Sequence, residues 1–119
     1  MAGLDFLTNR QKLNPTMTQP KHLFVGGLVA MGFDATGKYL LTVTHSGRGV
    51  FATDTWIRVA RDNALAYPTD GKAVGIGPLE GLAILVQERN EQQEHLEMQS
   101  PDGKFHLVGA PDNITVTEI

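Results

Sequence analysis

The chain has 119 residues, a length that suits one domain with a stable core and leaves little room for two. It has no cysteine, which excludes a disulfide framework, a thiolate metal site and a cysteine nucleophile. Its net charge of −3 and pI near 5.7 argue against generic binding to nucleic-acid phosphates, and a hydrophobic share of 41% argues against disorder throughout.

The first 21 residues are polar and contain Pro15 and Pro20, so we predict a flexible N-terminal arm ahead of a single domain at residues 22–119. The alternative for the arm is a short helix from Asp5 to about Leu13 that docks on the domain or on a partner. Because the sequence shows neither a secretory signal pattern nor an apolar run of ~18 residues, we predict no membrane span and a cytoplasmic location.

After the arm, short apolar runs are separated by turn residues, as in proteins made of hairpins. Val29, Met31 and Phe33 alternate with small or polar neighbours, and a second alternating run from Tyr39 to Thr44 follows the turn at residues 34–37. Five further short runs follow after residue 71. This pattern predicts a mainly β fold, either a small antiparallel sandwich or a partly open barrel built from hairpins.

The segment 54–66 admits two interpretations. An aspartate at its start, three alanines within it and a proline just beyond its end fit a short helix. As a strand, the segment would point Ile57 and Val59 inward and Trp56 and Arg58 outward. The helix explains more positions, so we predict one short helix near 54–66.

The stretch from Val29 to Trp56 contains a hydrophobic run, an Asp-x-x-Gly turn, a Tyr-Leu-Leu-Thr strand and a closing Asp-x-x-Trp. It resembles one blade of a β-propeller of the WD40 kind, and the resemblance covers about a quarter of the chain. A closed propeller needs at least four blades of about 40 residues, which this chain is too short to supply. The resemblance therefore indicates antiparallel hairpins.

A Gly-Lys pair occurs three times, at residues 37–38, 71–72 and 103–104. Each pair follows a polar turn and precedes a short apolar run, which would fit three diverged hairpin units. So few shared residues are equally typical of a common hairpin turn.

Arginine, tryptophan and glycine are concentrated between residues 45 and 61. Arginine and tryptophan are enriched at binding hot spots, and glycine lets a partner approach the backbone closely. We therefore predict a partner-binding patch, with the alternative that the single tryptophan anchors the core. The predicted patch consists of His45, Arg48, Trp56, Arg58 and Arg61.

Charge is divided unevenly along the chain. Residues 1–79 carry a net charge of +3, whereas residues 80–119 carry −6. Much of the acid lies around a predicted hairpin tip, where Glu91 and Glu94 would form an acidic face that attracts a basic partner, or simply a solvated loop. We include both glutamates among the predicted partner-binding residues.

Histidine and carboxylate are the remaining metal ligands. His95 and Glu97 are two residues apart, so both would lie on one face of a strand, and His106 could face them across a hairpin. Two histidines and one carboxylate would suit zinc or iron. The alternative is that all three are ordinary surface residues of strands.

No set of residues completes a catalytic motif, so we expect no enzymatic activity and no cofactor. We predict a non-enzymatic protein-binding module, a small accessory, regulatory or inhibitor/immunity-type protein. The alternative is a small-molecule or metal-binding domain, with minor hydrolase activity as one form of it, that uses histidine and glutamate on a sheet face. Exposed strand edges in a short β chain also predict pairing into a homodimer.

Overall fold

Antiparallel strands make up most of the fold. The computed structural model describes residues 19–89 and 95–119, which form eleven short strands and one 3-10 turn at Gly77–Leu79. The strands are β1 (Lys21–Phe24), β2 (Leu28–Phe33), β3 (Tyr39–Thr44), β4 (Gly47–Ala52), β5 (Arg58–Arg61), β6 (Lys72–Val74), β7 (Ala83–Leu85), β8 (Gln87–Glu88), β9 (Leu96–Gln99), β10 (Phe105–Gly109) and β11 (Asn113–Glu118).

The strands form two main sheets and a small hairpin. The terminal sheet has the order β9-β10-β11-β1, so the first described strand pairs with the last. The central sheet has the order β5-β4-β3-β2-β8, and β6 pairs with β7 as a separate hairpin. Every pairing among the described residues is antiparallel, and neither sheet closes on itself. The predicted mainly β fold built from hairpins is confirmed.

The main core lies between the two sheets, which pack face to face as a small sandwich. Alternate residues of a strand point to opposite faces, so the strands that line this core give it the side chains of one face. Its buried residues come from both sheets and from the segment before β5: Leu23, Val25, Leu28, Met31, Leu40, Phe51, Trp56, Leu96, Leu107, Ile114 and Val116.

A second apolar cluster covers the opposite face of the central sheet. The β6–β7 hairpin and the 3-10 turn pack there, over residues that include Ala30, Leu41, Val43 and Val50. Leu40 and Leu41 are adjacent in β3 and both are fully buried, one in each cluster. The central sheet is therefore the middle layer of the fold.

The segment 54–66 contains strand β5 and not the helix that its alanine pattern favours. Trp56 has a left-handed backbone conformation with φ of 58°, which no residue inside a right-handed helix adopts. The side chains also point opposite to the strand alternative from the sequence, which directs Ile57 and Val59 inward and Trp56 outward. Trp56 is 5% exposed and lies in the main core, whereas Ile57 and Val59 are 61% and 46% exposed. The described helical turn lies at Gly77–Leu79 instead.

Two of the three Gly-Lys pairs end hairpin turns of the same kind. In the β2–β3 turn the Asp34 carboxylate accepts hydrogen bonds from the Tyr39 backbone N–H at 2.9 Å and the Thr36 hydroxyl at 2.6 Å. In the β9–β10 turn the Ser100 hydroxyl accepts from the Phe105 N–H at 3.0 Å and donates to Asp102 at 2.5 Å. Gly37 and Gly103 have nearly equal positive φ angles, 77° and 75°.

The third Gly-Lys pair belongs to a different turn. Thr69 and Lys72 exchange backbone hydrogen bonds of 2.8 and 3.1 Å across Asp70 and Gly71. Both of those central residues have positive φ, as the tightest two-residue hairpin turn requires. The three pairs therefore do not mark three equivalent hairpin units.

The first described strand, β1, belongs to the terminal sheet. Strand β1 starts at Lys21, one residue before the predicted domain boundary, and residues 1–18 of the predicted arm lie outside the described residues. Within residues 19–89 and 95–119, no helix has the length and apolar character needed to cross a membrane.

Candidate functional site

A cleft of about 320 Å³ opens between the edge strand β1 of the terminal sheet and strands β4 and β5 at one edge of the central sheet. We call it the arginine cleft, because three of its lining residues are arginines. Its lining consists of Phe24, Val25, Gly26, Thr42, Thr44, Ser46, Gly47, Arg48, Gly49, Arg58, Arg61 and Asp62.

A β-bulge directs two of the arginines into the cleft. Residues three apart on a regular strand point to opposite faces, so Arg58 and Arg61 would normally be separated. Here Arg58 pairs with Phe51 and Arg61 pairs with Gly49, with a register shift between them. Since Phe51 and Gly49 share one face of β4, the bulge places both arginines on that same face.

The Arg58 side chain crosses from one sheet to the other. Its guanidinium lies 5.0 Å from the centre of the Phe51 ring, within the range of a cation–π contact. Its Nη2 donates a long hydrogen bond of 3.3 Å to the Phe24 carbonyl on β1. A Cβ at Gly49 would lie 3.4 Å from Arg58 Nε, so the glycine leaves room for the arginine to lie over β4.

Arg61 provides a cation without a protein counter-charge. It is exposed, and it forms no ion pair or side-chain hydrogen bond within the described part of the chain. A guanidinium presents a planar set of N–H donors that matches a carboxylate or phosphate. Arg61 is therefore available to an anionic group that enters the cleft.

The carboxylate of the cleft is already paired. Arg48 Nη2 lies 2.6 Å from Asp62 Oδ2, and the Arg48 backbone N–H also donates to this carboxylate at 3.2 Å. The side-chain hydrogen bond from Arg48 holds the pKa of Asp62 below its ordinary value, although partial burial opposes this shift. With Asp62 ionised, its charge is offset by Arg48, and Arg58 and Arg61 leave the described lining with a net charge of +2.

Hydroxyl groups and glycine form the remaining polar surface of the cleft. Thr42 donates to the Gly49 carbonyl at 3.2 Å, and Thr44 donates to the Gly47 carbonyl at 2.9 Å. The Ser46 hydroxyl lies beside Gly26, where a Cβ would approach it to 3.0 Å. Ser46 is exposed and adds a further hydrogen-bond donor at the mouth.

The structure separates the predicted partner-binding residues. Arg58 and Arg61 face the cleft, and Arg48 lines it but is held by Asp62. His45 is exposed in the β3–β4 turn, where its Nδ1 shares a hydrogen bond of 3.2 Å with the Tyr67 hydroxyl.

The remaining predicted contacts lie elsewhere. Trp56 is buried and packs edge-to-face on Phe105 with ring centres 5.1 Å apart, so its assignment to the surface patch is wrong and the core alternative applies. Glu91 and Glu94 lie outside the described residues.

Two of the three predicted metal ligands are in contact. His106 Nε2 and Glu97 Oε2 are 3.1 Å apart on adjacent strands of the terminal sheet. His95 is exposed just before β9. Among residues 19–89 and 95–119, no group of three histidine, aspartate or glutamate side chains is close enough to hold a metal ion. The structure therefore brings His106 and Glu97 together but does not bring His95 to them, and metal analysis of untagged protein would test whether the pair binds metal.

A second cavity, of about 550 Å³, lies near the β2–β3 and β9–β10 turns. Lys38 and Lys104 line it together with Asp54 and Asp102, so positive and negative groups balance there. The arginine cleft is smaller, but its excess of positive charge selects for one class of ligand.

No protein-family model, curated protein or solved structure matches this chain. Function is therefore inferred from the chemistry of the site itself. Two features of that site could not be read from the sequence: the bulge that aligns Arg58 with Arg61, and the exposed position of Phe24. Because residues three apart point to opposite faces of a regular strand, the sequence did not predict that the Arg58 and Arg61 side chains face the same cleft.

Proposed function

We propose that this chain is a non-enzymatic protein-binding module whose partner places an acidic group in the arginine cleft. The observation that carries the proposal is that Arg58 and Arg61 face one cleft while Arg48 already neutralises Asp62. The cleft therefore attracts a carboxylate by charge and meets it with guanidinium donors.

The chemistry of the lining supports binding over catalysis. The described lining contains no histidine, and its carboxylate is engaged by Arg48 instead of being free to take a proton. Thr42 and Thr44 donate their hydroxyl hydrogens to backbone carbonyls and have no neighbouring base to activate them. The guanidinium groups of Arg58 and Arg61, which also line the cleft, can hold and orient an anion.

The surroundings of the cleft support a protein as the partner. Phe24 lines the cleft beside the arginines and is 76% exposed. Arginine beside an exposed aromatic group is a typical composition for a protein-binding surface. An acidic residue flanked by apolar residues in the partner would complement this surface.

The test is capture from native lysate by the full chain and by two charge-reversed variants, followed by quantitative mass spectrometry. Arg61→Glu reverses a charge in the cleft, and Lys38→Glu makes the same change in charge at the second cavity. We expect a protein that wild type and Lys38→Glu retain and Arg61→Glu loses by about tenfold or more, and whose purified form binds more weakly as salt rises.

Two outcomes would overturn the proposal. One is the absence of any protein whose capture depends on Arg61. The other is a purified partner that binds Arg61→Glu as tightly as wild type, which would place the binding surface elsewhere. The cytoplasmic location and the strand-edge homodimer stay predictions, and light scattering on the purified chain would test the dimer.

A further inference from the structure

We propose that the partner binds as an extended strand along the open edge of β1, with an acidic side chain directed into the arginine cleft. This inference rests on the proposed function and specifies how the partner is held. Three features support it: the backbone direction of β1, the contact between Arg58 and Phe24, and the charge along this edge.

The backbone of β1 has one paired side and one open side. Leu23 pairs with Ile114 and Phe24 with Asn113 on β11, and no described strand lies on the other side of β1. The Phe24 carbonyl receives the Arg58 guanidinium, so it points away from β11. Because the backbone groups of a strand alternate in direction, those of His22 also point to the open side. Val25 follows Phe24, so its backbone groups point the opposite way, and its N–H donates to the Asp112 carbonyl at 3.0 Å.

The β1 edge has no bulge and no proline within the strand, and its protection is limited to its length of four residues and to Lys21. Exposed edges are commonly protected by short strand length, lysine or other charged side chains, proline and bulges. The neighbouring edge strand β5 has such protection, since it carries a bulge and two arginines. In β1 the sequence Lys-His-Leu-Phe pairs with β11 in regular register and contains no proline. A partner strand can therefore add to β1 more easily than to β5.

Arg58 connects the open edge to the cleft. An added strand would run about 4.8 Å from β1, across the space that the Arg58 guanidinium now occupies. A backbone N–H of that strand could replace Arg58 as the donor to the Phe24 carbonyl, because the present bond of 3.3 Å is long. The released guanidinium would then meet an acidic side chain of the added strand together with Arg61.

Charge argues against a second copy of this chain as the occupant. Lys21 belongs to the open edge strand, Arg58 and Arg61 lie beside it, and the acid that lines the cleft, Asp62, is paired with Arg48. Two copies that paired β1 with β1 about a two-fold axis would bring these cations together. A segment of a different protein that carries aspartate or glutamate avoids this repulsion.

The probe for the test is a displayed library of random peptides of about ten residues, selected on the full wild-type chain. We expect the enriched peptides to contain an acidic residue between β-branched or aromatic residues. The most enriched peptide is then synthesised in four forms: unmodified, with its acid replaced by the amide, and with N-methyl groups at one or at the other alternate set of backbone positions. Binding of each form is followed by the backbone and arginine Nε signals of the isotope-labelled chain.

The unmodified peptide is expected to shift the amide signals of His22 and Phe24 and the Nε signals of Arg58 and Arg61 in one saturable transition. The amide form and the Arg61→Gln variant should each weaken binding by about tenfold, and N-methylation on one alternate set of positions should abolish it. N-methylation on the other set should have little effect, since a strand uses one side for pairing.

The outcomes separate this inference from the proposed function. If binding requires the acid and Arg61 but is indifferent to N-methylation and leaves the His22 and Phe24 signals unmoved, strand addition is overturned while the proposed function stands. If no peptide is enriched, or if binding ignores both the acid and Arg61, the inference is overturned, and the capture experiment then decides the proposed function separately.

Discussion

The guanidinium of Arg48 lies 2.6 Å from the carboxylate of Asp62, and this contact sets the charge of the arginine cleft. Arg48 belongs to β4, whereas Asp62 follows β5, so the pair also joins the two strands at the end of their pairing. A further bond from Arg48 Nη1 to the Val74 carbonyl, at 3.0 Å, links this end of the central sheet to β6. One arginine thus neutralises the acid of the cleft and connects two layers of the fold.

We predict that Asp62→Asn is less stable than wild type at pH 7 by about 1 kcal/mol, because the exposure of these side chains (13% for Arg48 and 32% for Asp62) screens the pair. The pKa of Asp62 is lower in the folded than in the unfolded chain, where it is about 3.9. The ionised Asp62 carboxylate therefore contributes fully to the free energy of unfolding above about pH 4, and this contribution is lost as the pH falls through the folded pKa. The difference between variant and wild type should shrink in acid.

Urea unfolding of both proteins between about pH 7 and pH 3 checks this prediction. Asp54→Asn is the matched control, since Asp54 is exposed and forms no ion pair within the described residues. Its stability should follow that of wild type at every pH. A difference for Asp62→Asn that stays constant across the range would show that the ionised carboxylate is not the source of the effect.

The sequence was sufficient to predict the hairpins. Alternation in β3 correctly places Tyr39, Leu41 and Val43 on one face and Leu40 on the other, and the turn at residues 34–37 is where glycine and aspartate predict it. What alternation could not reveal is that both faces of the central sheet are covered. A strand buried on both sides reads as apolar throughout, so its pattern does not indicate which cluster each side chain joins.

The segment 54–66 and the arginine cleft were harder to predict from the side-chain pattern of the segment alone. A left-handed residue at Trp56 reverses the faces of the strand that follows, and nothing in the side-chain pattern signals that conformation. The bulge in β5 then brings Arg58 and Arg61 to one face against the ordinary period of a strand. Both features depend on the pairing partner β4, and a single segment of sequence does not contain that partner.

Trp56 should contribute to stability and not to binding. Its ring is buried against Phe105, and its Nε1–H has no hydrogen-bond partner among the described residues. We predict that Trp56→Ala costs about 3–5 kcal/mol, whereas Trp56→Phe costs about 1–2 kcal/mol, because it keeps an aromatic ring and removes an unsatisfied donor. Thermal unfolding monitored by circular dichroism should rank wild type above Trp56→Phe, and Trp56→Phe above Trp56→Ala.

The single tryptophan also provides an independent check. Buried indole should emit at shorter wavelength in the folded chain and shift to longer wavelength on unfolding. Native emission typical of water-exposed indole, or a Trp56→Ala variant as stable as wild type, would contradict the core position. Either result would return Trp56 to the partner-binding patch predicted from the sequence.

Gly32 determines how closely the β6–β7 hairpin approaches the central sheet. A Cβ at this position would lie 2.0 Å from the Leu85 carbonyl oxygen and 3.0 Å from Val86 Cα, so alanine forces the hairpin away from β2. We predict that Gly32→Ala costs about 3 kcal/mol and removes hydrogen-exchange protection first from Lys72–Val74 and Ala83–Leu85.

Gly71→Ala is the control for the steric origin of that effect. Gly71 has φ of 72° but no atom within 4 Å of an added Cβ, so alanine there meets only backbone strain, of about 1–2 kcal/mol. Equal losses for the two variants, or exchange that accelerates uniformly over the fold in Gly32→Ala, would contradict a local clash beneath the hairpin.

In the turns after β2 and β9 the acid and the hydroxyl have traded places, so each turn should depend on keeping one acid and one hydroxyl at its first and third positions. In one turn Asp34 accepts from the Thr36 hydroxyl, and in the other Ser100 donates to the Asp102 carboxylate. The Ser100 hydroxyl and the Lys104 backbone N–H hold the pKa of Asp102 below its ordinary value. Ser100→Asp would remove that donor and place two carboxylates side by side.

We therefore predict that Ser100→Asp destabilises the fold at pH 7, and that the loss diminishes in acid as one carboxyl becomes protonated. Adding Asp102→Thr to Ser100→Asp recreates the acid and hydroxyl arrangement of Asp34 and Thr36 and should restore most of the stability. Urea unfolding of the single and double variants at two pH values measures this coupling. A double variant no more stable than Ser100→Asp alone would show that the two turns are not interchangeable.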